Sequence, residues 1–269
     1  MVVIWISTTR DTLLEIYERL YSHFGPRGWW PAETPFEVCV GAILTQNVAW
    51  RNVVKAIAAL REEGLLSVHA IYRAPRERIA PLIRPTRYYN QKAQRLKDFC
   101  SLAAERHEAD LDKLFALPVP ELRGRLLGIR GIGKETADSI ILYAAEKPVF
   151  VVDSYTSRIF SRLGIIPDRW GYDQIQSFFT RNLPESVELF NQYHALIDGA
   201  GHYYCSATPR CGECPLAGMF KNNGKKSRPA GGAAVPAAGI QNSEFRSQKY
   251  KKLATEAIEN TENKTHNGG

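Results

Sequence analysis

Apolar side chains recur at three- and four-residue intervals along most of the chain, the spacing of a buried helix face. Leu13, Leu14, Ile16, Tyr17, Leu20 and Tyr21 form the first such face, and Gly25 is its expected stop. Pro35 suits the opening of a second helix over 35–44. Residues 52–62 read as a third, closed by Gly64. Short helical pieces follow, punctuated by Pro75, Pro81 and Pro85. The pattern then predicts helices over 90–106, 110–116, 120–127, 135–145, 154–163, 172–182 and 185–197. Only Val149-Phe150-Val151-Val152 has strand character, and no second strand offers it a partner, so a buried extended link is the alternative. The expected fold is all-α, in two lobes. Residues 29–145 form a barrel-like lobe ending in a helical hairpin, and residues 1–28 plus 146–220 form the second.

Composition narrows this picture. A chain of 269 residues suffices for one large domain or two modest ones, and 44% hydrophobic residues excludes wholesale disorder. No run reaches the roughly 18 apolar residues of a membrane span, so no membrane partner is expected. The apolar run from Val2 to Ile6 is too short for a signal-peptide core. Five cysteines are an odd number and too few for a disulfide scaffold, which points to a reducing, cytoplasmic setting. Residues 221–269 are rich in Lys, Asn, Gly, Ala, Ser and Glu and read as a disordered tail.

The formal net charge of +7 is unevenly spread. The tail holds nine Lys/Arg against four Asp/Glu, leaving the body 26 against 24. A global argument from basicity is therefore weak. Locally, residues 69–102 hold eight Lys/Arg against Glu77 and Asp98. That stretch suits a phosphate backbone, or a solvated helical face.

The strongest chemical signal is Leu127-Gly128-Ile129-Arg130-Gly131-Ile132-Gly133-Lys134-Glu135-Thr136-Ala137. One helix ends, a Gly-x-Gly turn follows, and a second helix begins. Glycines at 131 and 133 permit positive φ and close backbone approach. The N-terminus of the second helix is a ready site for phosphate. This is the pattern of a helix-hairpin-helix element, which would set Gly131, Gly133, Lys134 and Thr136 against a DNA backbone. An ordinary glycine-capped helical hairpin is the alternative. Eighteen residues beyond Glu135 lies Asp153, where an apolar run meets a helix start. A carboxylate there is an N-cap or more.

The hairpin, the Val152-Asp153 pair, the Leu44-Thr45-Gln46-Asn47 segment and the Tyr89-Asn90-Gln91-Lys92-Ala93 segment together resemble the endonuclease III superfamily of DNA glycosylases. The likeness covers roughly residues 10–215. It implies that Asp153 is the catalytic carboxylate, stabilising an oxocarbenium-like sugar and directing the nucleophile to C1′. It implies that Gln46 enters the space left by a flipped base. It also implies that duplex DNA lies across a cleft between the lobes, that the protein acts as a monomer, and that it is nucleoid-associated through that DNA. Bifunctional members carry lysine at the position of Glu135, where the amine forms a Schiff base and then cleaves the strand. Glutamate cannot do so, and Lys134 is rotated by about 100° along the helix. The expected activity is monofunctional hydrolysis that leaves an intact abasic strand. Glu135 is also an ordinary first-turn acid.

Trp29, Trp30 and Trp50 are three of the chain's five tryptophans, close to the segment carrying Gln46. Trp29-Trp30-Pro31, Glu135 and Asp153 are similar to the endonuclease III-type 3-methyladenine glycosylases, where a flipped alkylated base stacks between aromatic rings. The resemblance assigns that pocket to Trp29 or Trp30 with Trp50, walled by Pro31. Two other readings stay open: a glycosylase/lyase acting on oxidised pyrimidines, and a non-catalytic helix-hairpin-helix DNA-binding protein.

Cys205, Cys211 and Cys214 are spaced C-x5-C-x2-C, as for a metal. The resembled family usually holds a [4Fe–4S] cluster here through C-x6-C-x2-C-x5-C. In this chain the first gap is one residue short and the fourth position is Phe220. A cluster with another fourth ligand, a zinc site completed by His202, and a decayed site all remain open. Cys39 and Cys100 read as core residues.

Overall fold

The computed structural model describes residues 8–219; Val2 to Ile6, Phe220 and the 221–269 tail lie outside the described residues. The described residues are helical with no strand. They fall into two compact units, Trp30–Val151 and the pair of segments that flank it, up to Trp29 and from Val152.

In the unit formed by the flanking segments, α1 spans Thr9–Phe24. Thr8 caps it reciprocally with Asp11, and Gly25 closes it at φ +67°. Its inner face is Leu13, Ile16, Tyr17 and Leu20. Helices α10 (Ser154–Arg162), α11 (Tyr172–Asn182) and α12 (Val187–Tyr203) complete this unit's main helices. α12 packs on both α1 and α10. Tyr193 is fully buried among Tyr17, Phe160 and Phe179, and its hydroxyl donates to Leu13 O at 2.7 Å.

α12 continues six residues beyond the expected end at 197. Glycine disfavours a helix interior, but packing overrides that preference here. A Cβ on Gly201 would come within 2.2 Å of the Tyr155 ring, and one on Gly199 would meet Phe24 at 3.6 Å. The glycines are the contact surface of a buried helix rather than its stop.

In the other unit, α2 (Pro35–Leu44) has Pro at its first position, is capped by Thr34, and is buried on all sides from Phe36 to Leu44. Around it stand α3 (Trp50–Glu62) and α6 (Tyr89–His107), with α4 (Val68–Arg73) and α5 (Arg76–Leu82) packed on α6. α7 (Leu111–Phe115) leads to α8 (Val119–Leu127) and α9 (Lys134–Ser139). From α9 the chain winds directly into a fully buried π-helical turn, Ile140–Ala144, packed on α2. The 149–152 run is extended and pairs with no strand; Phe150, Val151 and Val152 are buried.

The same substitution is expected to have opposite signs at two glycines. Gly201→Ala forces a methyl against the Tyr155 ring and should cost about 1–3 kcal/mol. Gly124→Ala, on α8 with open space around its Cα, should gain about 0.5–1 kcal/mol from helix propensity. Urea unfolding of both variants checks the pair.

Candidate active site

The hairpin is built by α8, the 128–133 turn and α9. Ile129 and Ile132 are buried and anchor the turn, with Ile132 N–H donating to Ile129 O at 3.0 Å. Gly131 has φ +90°, and a Cβ there would lie 2.2 Å from Arg95 Nε. The positive φ favours glycine, and a side chain there would also have to displace the Arg95 guanidinium. Gly133 differs from the expectation of positive φ. It is extended at φ −90° and ψ 178° and serves as the N-cap of α9, with open space around its Cα. The two helices are pinned by a bidentate ion pair that the sequence pattern did not single out. Arg123 Nε and Nη2 reach the Asp138 oxygens at 2.6 and 3.0 Å, and Asp138 is fully buried.

Lys134 and Glu135 are exposed in the first turn of α9. Thr136 is not: it is 6% exposed, and its hydroxyl accepts from Gln46 Nε2 at 2.8 Å. Its side chain faces inward, leaving the amide as the group at the helix N-terminus. Gln46 Nε2 also donates to Gly131 O at 3.1 Å, while Arg95 Nη1 donates to Gln46 Oε1. The structure thus brings Gln46, Gly131 and Thr136 together, with Arg95 on the Gln46 amide oxygen.

Lys92 is 1% exposed. Its ammonium donates to Leu44 O at 2.8 Å, Gln46 O at 3.0 Å and Thr86 O at 2.6 Å. Burial, helped by the nearby Arg95 charge, lowers its pKa to about 8. Lys97 is similarly committed, donating to Ile71 O, Tyr72 O and Ala74 O at 3.3, 2.9 and 2.6 Å. Five of the eight basic groups of the 69–102 stretch therefore bind the protein's own acceptors, Arg95 at Gln46, Arg78 at Glu63 and Arg76 at Glu77 among them.

Trp30 meets Trp50 edge-on at 5.4 Å and Tyr143 at 5.3 Å, both between ring centroids. The Trp30 indole lies on the backbone of α2, where a Cβ on Gly41 would meet Nε1 at 3.0 Å. Trp30 and Trp50 are half-buried and Pro31 is exposed. Trp29 belongs to the other unit. Tyr143 and Gly41 were missed by the sequence reasoning, because only the π-turn and the helix packing reveal them.

In the unit of α10 and α12, Asp153 is the N-cap of α10. Its Oδ1 accepts from Thr156 N and Oγ1, each at 2.7 Å. Oδ2 lies 3.8 Å from His194 Nε2, and both side chains are 10% exposed. Asp198 sits one turn beyond His194 on α12. Burial raises its pKa above the usual carboxylate range; His194 acts to lower it and Asp153 to raise it. Two acids and a histidine thus share one half-enclosed spot.

The cysteine loop packs beside α10. Arg158 Nε donates to Cys205 O at 2.6 Å, and Arg162 Nη1 lies 3.1 Å from Cys205 Sγ. Burial pushes the Cys214 thiol up to about 11, and Cys205 and Cys211 push it the same way. No set of three or more His, Cys, Asp or Glu groups able to hold a metal is present among the described residues. His202 packs edge-on against Tyr203 at 5.0 Å. The described residues do not fit a complete metal site. Cys39 and Cys100 are buried as core thiols.

Residues 40–185, which include the helical hairpin and Asp153, match the family model of the HhH-GPD superfamily base excision DNA repair proteins. The chain belongs to this superfamily. It is a DNA glycosylase of the base excision repair family. It is 43% identical over 213 residues to a provisionally named DNA repair glycosylase of Methanocaldococcus jannaschii, covering 77% of this chain and 94% of that one. It is 26% identical to endonuclease III of Bacillus subtilis, covering 72% and 84%. Among solved structures, an H. pylori 3-methyladenine DNA glycosylase bound to 1,N6-ethenoadenine matches with TM-score 0.62 and 27% identity, over 72% and 97%. An endonuclease III–DNA complex matches in fold with TM-score 0.68 at 21% identity, over 80% and 96%. No described helix is long and apolar enough to cross a membrane.

The hairpin of this glycosylase should depend on its buried ion pair. Removing one partner of such a pair leaves an uncompensated charge. Asp138→Ala is expected to cost about 3 kcal/mol in urea unfolding, with weakened duplex binding measured by anisotropy.

Proposed function

We propose that this chain is a monofunctional DNA N-glycosylase that removes alkylated purines from duplex DNA, acting as a monomer. The observation that carries this reading is the half-buried aromatic group of Trp30, Trp50 and Tyr143, seated on α2 at Gly41. The 3-methyladenine activity in the name of the H. pylori relative, and the ethenoadenine bound to it, support the same substrate class.

N3- and N7-alkylated purines are cationic. A cation over an indole face gains roughly 0.5–2 kcal/mol. Such a base is already a good leaving group, so no dedicated general acid is needed to protonate it. Base flipping exposes C1′. Gln46 fills the vacated space in the duplex, and Gly131, Gly133, Lys134 and the Thr136 amide hold the backbone. In the proposed reaction Asp153 stabilises the developing positive charge on the sugar and directs water to C1′. Glu135 stands where a Schiff-base lysine would be needed, which favours hydrolysis over strand cleavage. Trp29 and Pro31 border the aromatic group along the chain.

An end-labelled duplex carrying one stable alkylated-purine analogue tests this. Strand breaks are expected only after alkali. Breaks without alkali would show an amine acting and overturn the monofunctional reading. Asp153→Asn should lower single-turnover cleavage by at least about 10²-fold while duplex binding survives. Trp30→Leu should lower kcat/KM on a cationic base by about 10-fold. If oxidised pyrimidines are released faster than alkylated purines, the substrate assignment fails.

A further inference from the structure

Two basic residues one turn apart on α6, Lys92 and Arg95, both reach the short turn that carries Gln46. Lys92 takes its backbone: the ammonium holds the carbonyls of Leu44 and Gln46 on one side and of Thr86 on the other. Arg95 takes its side chain, through the amide oxygen, while the guanidinium lies against Gly131. The remaining Gln46 donor bonds are to Gly131 O and Thr136 Oγ1 of the hairpin. Next in sequence, Asn47 is held at φ +56°, the left-handed conformation that asparagine adopts more readily than most side chains.

This is more than a helix cap requires. Carbonyls at a helix C-terminus are commonly met by water or by a glycine turn. Burying an ammonium is unfavourable unless each N–H finds an acceptor. Here three acceptors are supplied, two by the end of α2 and the Gln46 turn and the third by Thr86 in the segment before α6. We propose that Lys92 and Arg95 are positioning residues for Gln46, Lys92 fixing the backbone from which it projects and Arg95 fixing the direction of its amide. The proposal rests on the reading that Gln46 enters the duplex. It gives these two basic groups a role within the protein, distinct from direct phosphate contact.

The test uses a duplex with a tetrahydrofuran abasic analogue opposite 2-aminopurine, so that no lesion base has to be recognised. Fluorescence of the estranged 2-aminopurine reports filling of the gap, and anisotropy reports binding at fixed salt. Wild-type protein should raise the fluorescence, and Gln46→Ala should abolish the rise. Arg95→Gln and Lys92→Gln should each reduce it about 5-fold, with duplex affinity and its salt slope unchanged. Arg95→Lys should restore part of it.

A full fluorescence rise in folded Arg95→Gln overturns the proposal. So does a general loss of affinity with a salt slope reduced by about 1, which is the signature of a phosphate contact. Arg95 is only half-buried, so its variants decide the matter even if Lys92→Gln does not fold. If wild type and Gln46→Ala give the same fluorescence, the Gln46 reading itself fails, and this inference with it. That outcome is separate from the choice of lesion tested above.

Discussion

Three carbonyl oxygens, of Leu44, Gln46 and Thr86, converge on the single buried ammonium of Lys92. Each party needs the other. α2 is buried from Phe36 to Leu44, so water is a poor source of donors for its last carbonyls. The ammonium in turn is tolerable in that setting only with acceptors for all of its N–H groups. The positive charge also lies favourably at a helix C-terminus. Meeting both demands fixes the end of α2, the turn at Gln46 and the segment before α6. Gln46 then reaches the hairpin at Gly131 and Thr136, so one buried charge links the central helix to the hairpin turn.

The helices were legible because burial on one face imposes a three-to-four-residue rhythm. The boundaries of α2 and α11 follow from Pro35, Leu44, Tyr172 and Asn182 as read. α12 was not legible to its end. Gly199 and Gly201 look like punctuation in a local reading, but they admit Phe24 and the Tyr155 ring against the helix. The π-turn at Ile140–Ala144 was equally hidden, since its apolar sequence fits an α-helix as well. Of the two hairpin glycines, only Gly131 uses its conformational freedom; Gly133 occupies a backbone conformation open to any residue.

Side-chain partnerships were the least legible layer. Arg123 and Asp138 are fifteen positions apart, on different helices, with no periodic signal joining them. The 69–102 stretch shows the converse problem. Counting its charges suggested an electrostatic surface, yet Lys92 and Lys97 each hold three backbone carbonyls and Arg95 holds Gln46. A charge count sees composition, whereas capping depends on which carbonyls the fold leaves without donors. The cysteine spacing was informative in the same limited way. It announced an unusual loop, and the loop brings Cys214 within the influence of Cys205 and Cys211 without assembling a complete ligand set among the described residues.

Asp153 shows why a structural reading and a chemical one need not compete. One carboxylate oxygen carries the cap of α10 through Thr156, which orients the group rigidly. The other is directed to the side of His194 and the buried Asp198. A helix N-terminus is a favourable place for negative charge. A fixed negative charge is also what a developing oxocarbenium ion requires, and preorganisation means that little reorientation is needed during the reaction. The residue that starts the helix is therefore already built for the proposed step. At Glu135 the logic is the same with the opposite result. The first turn of α9 accepts an acid readily, and a carboxylate at that point cannot itself form a Schiff base, in keeping with the proposed hydrolysis.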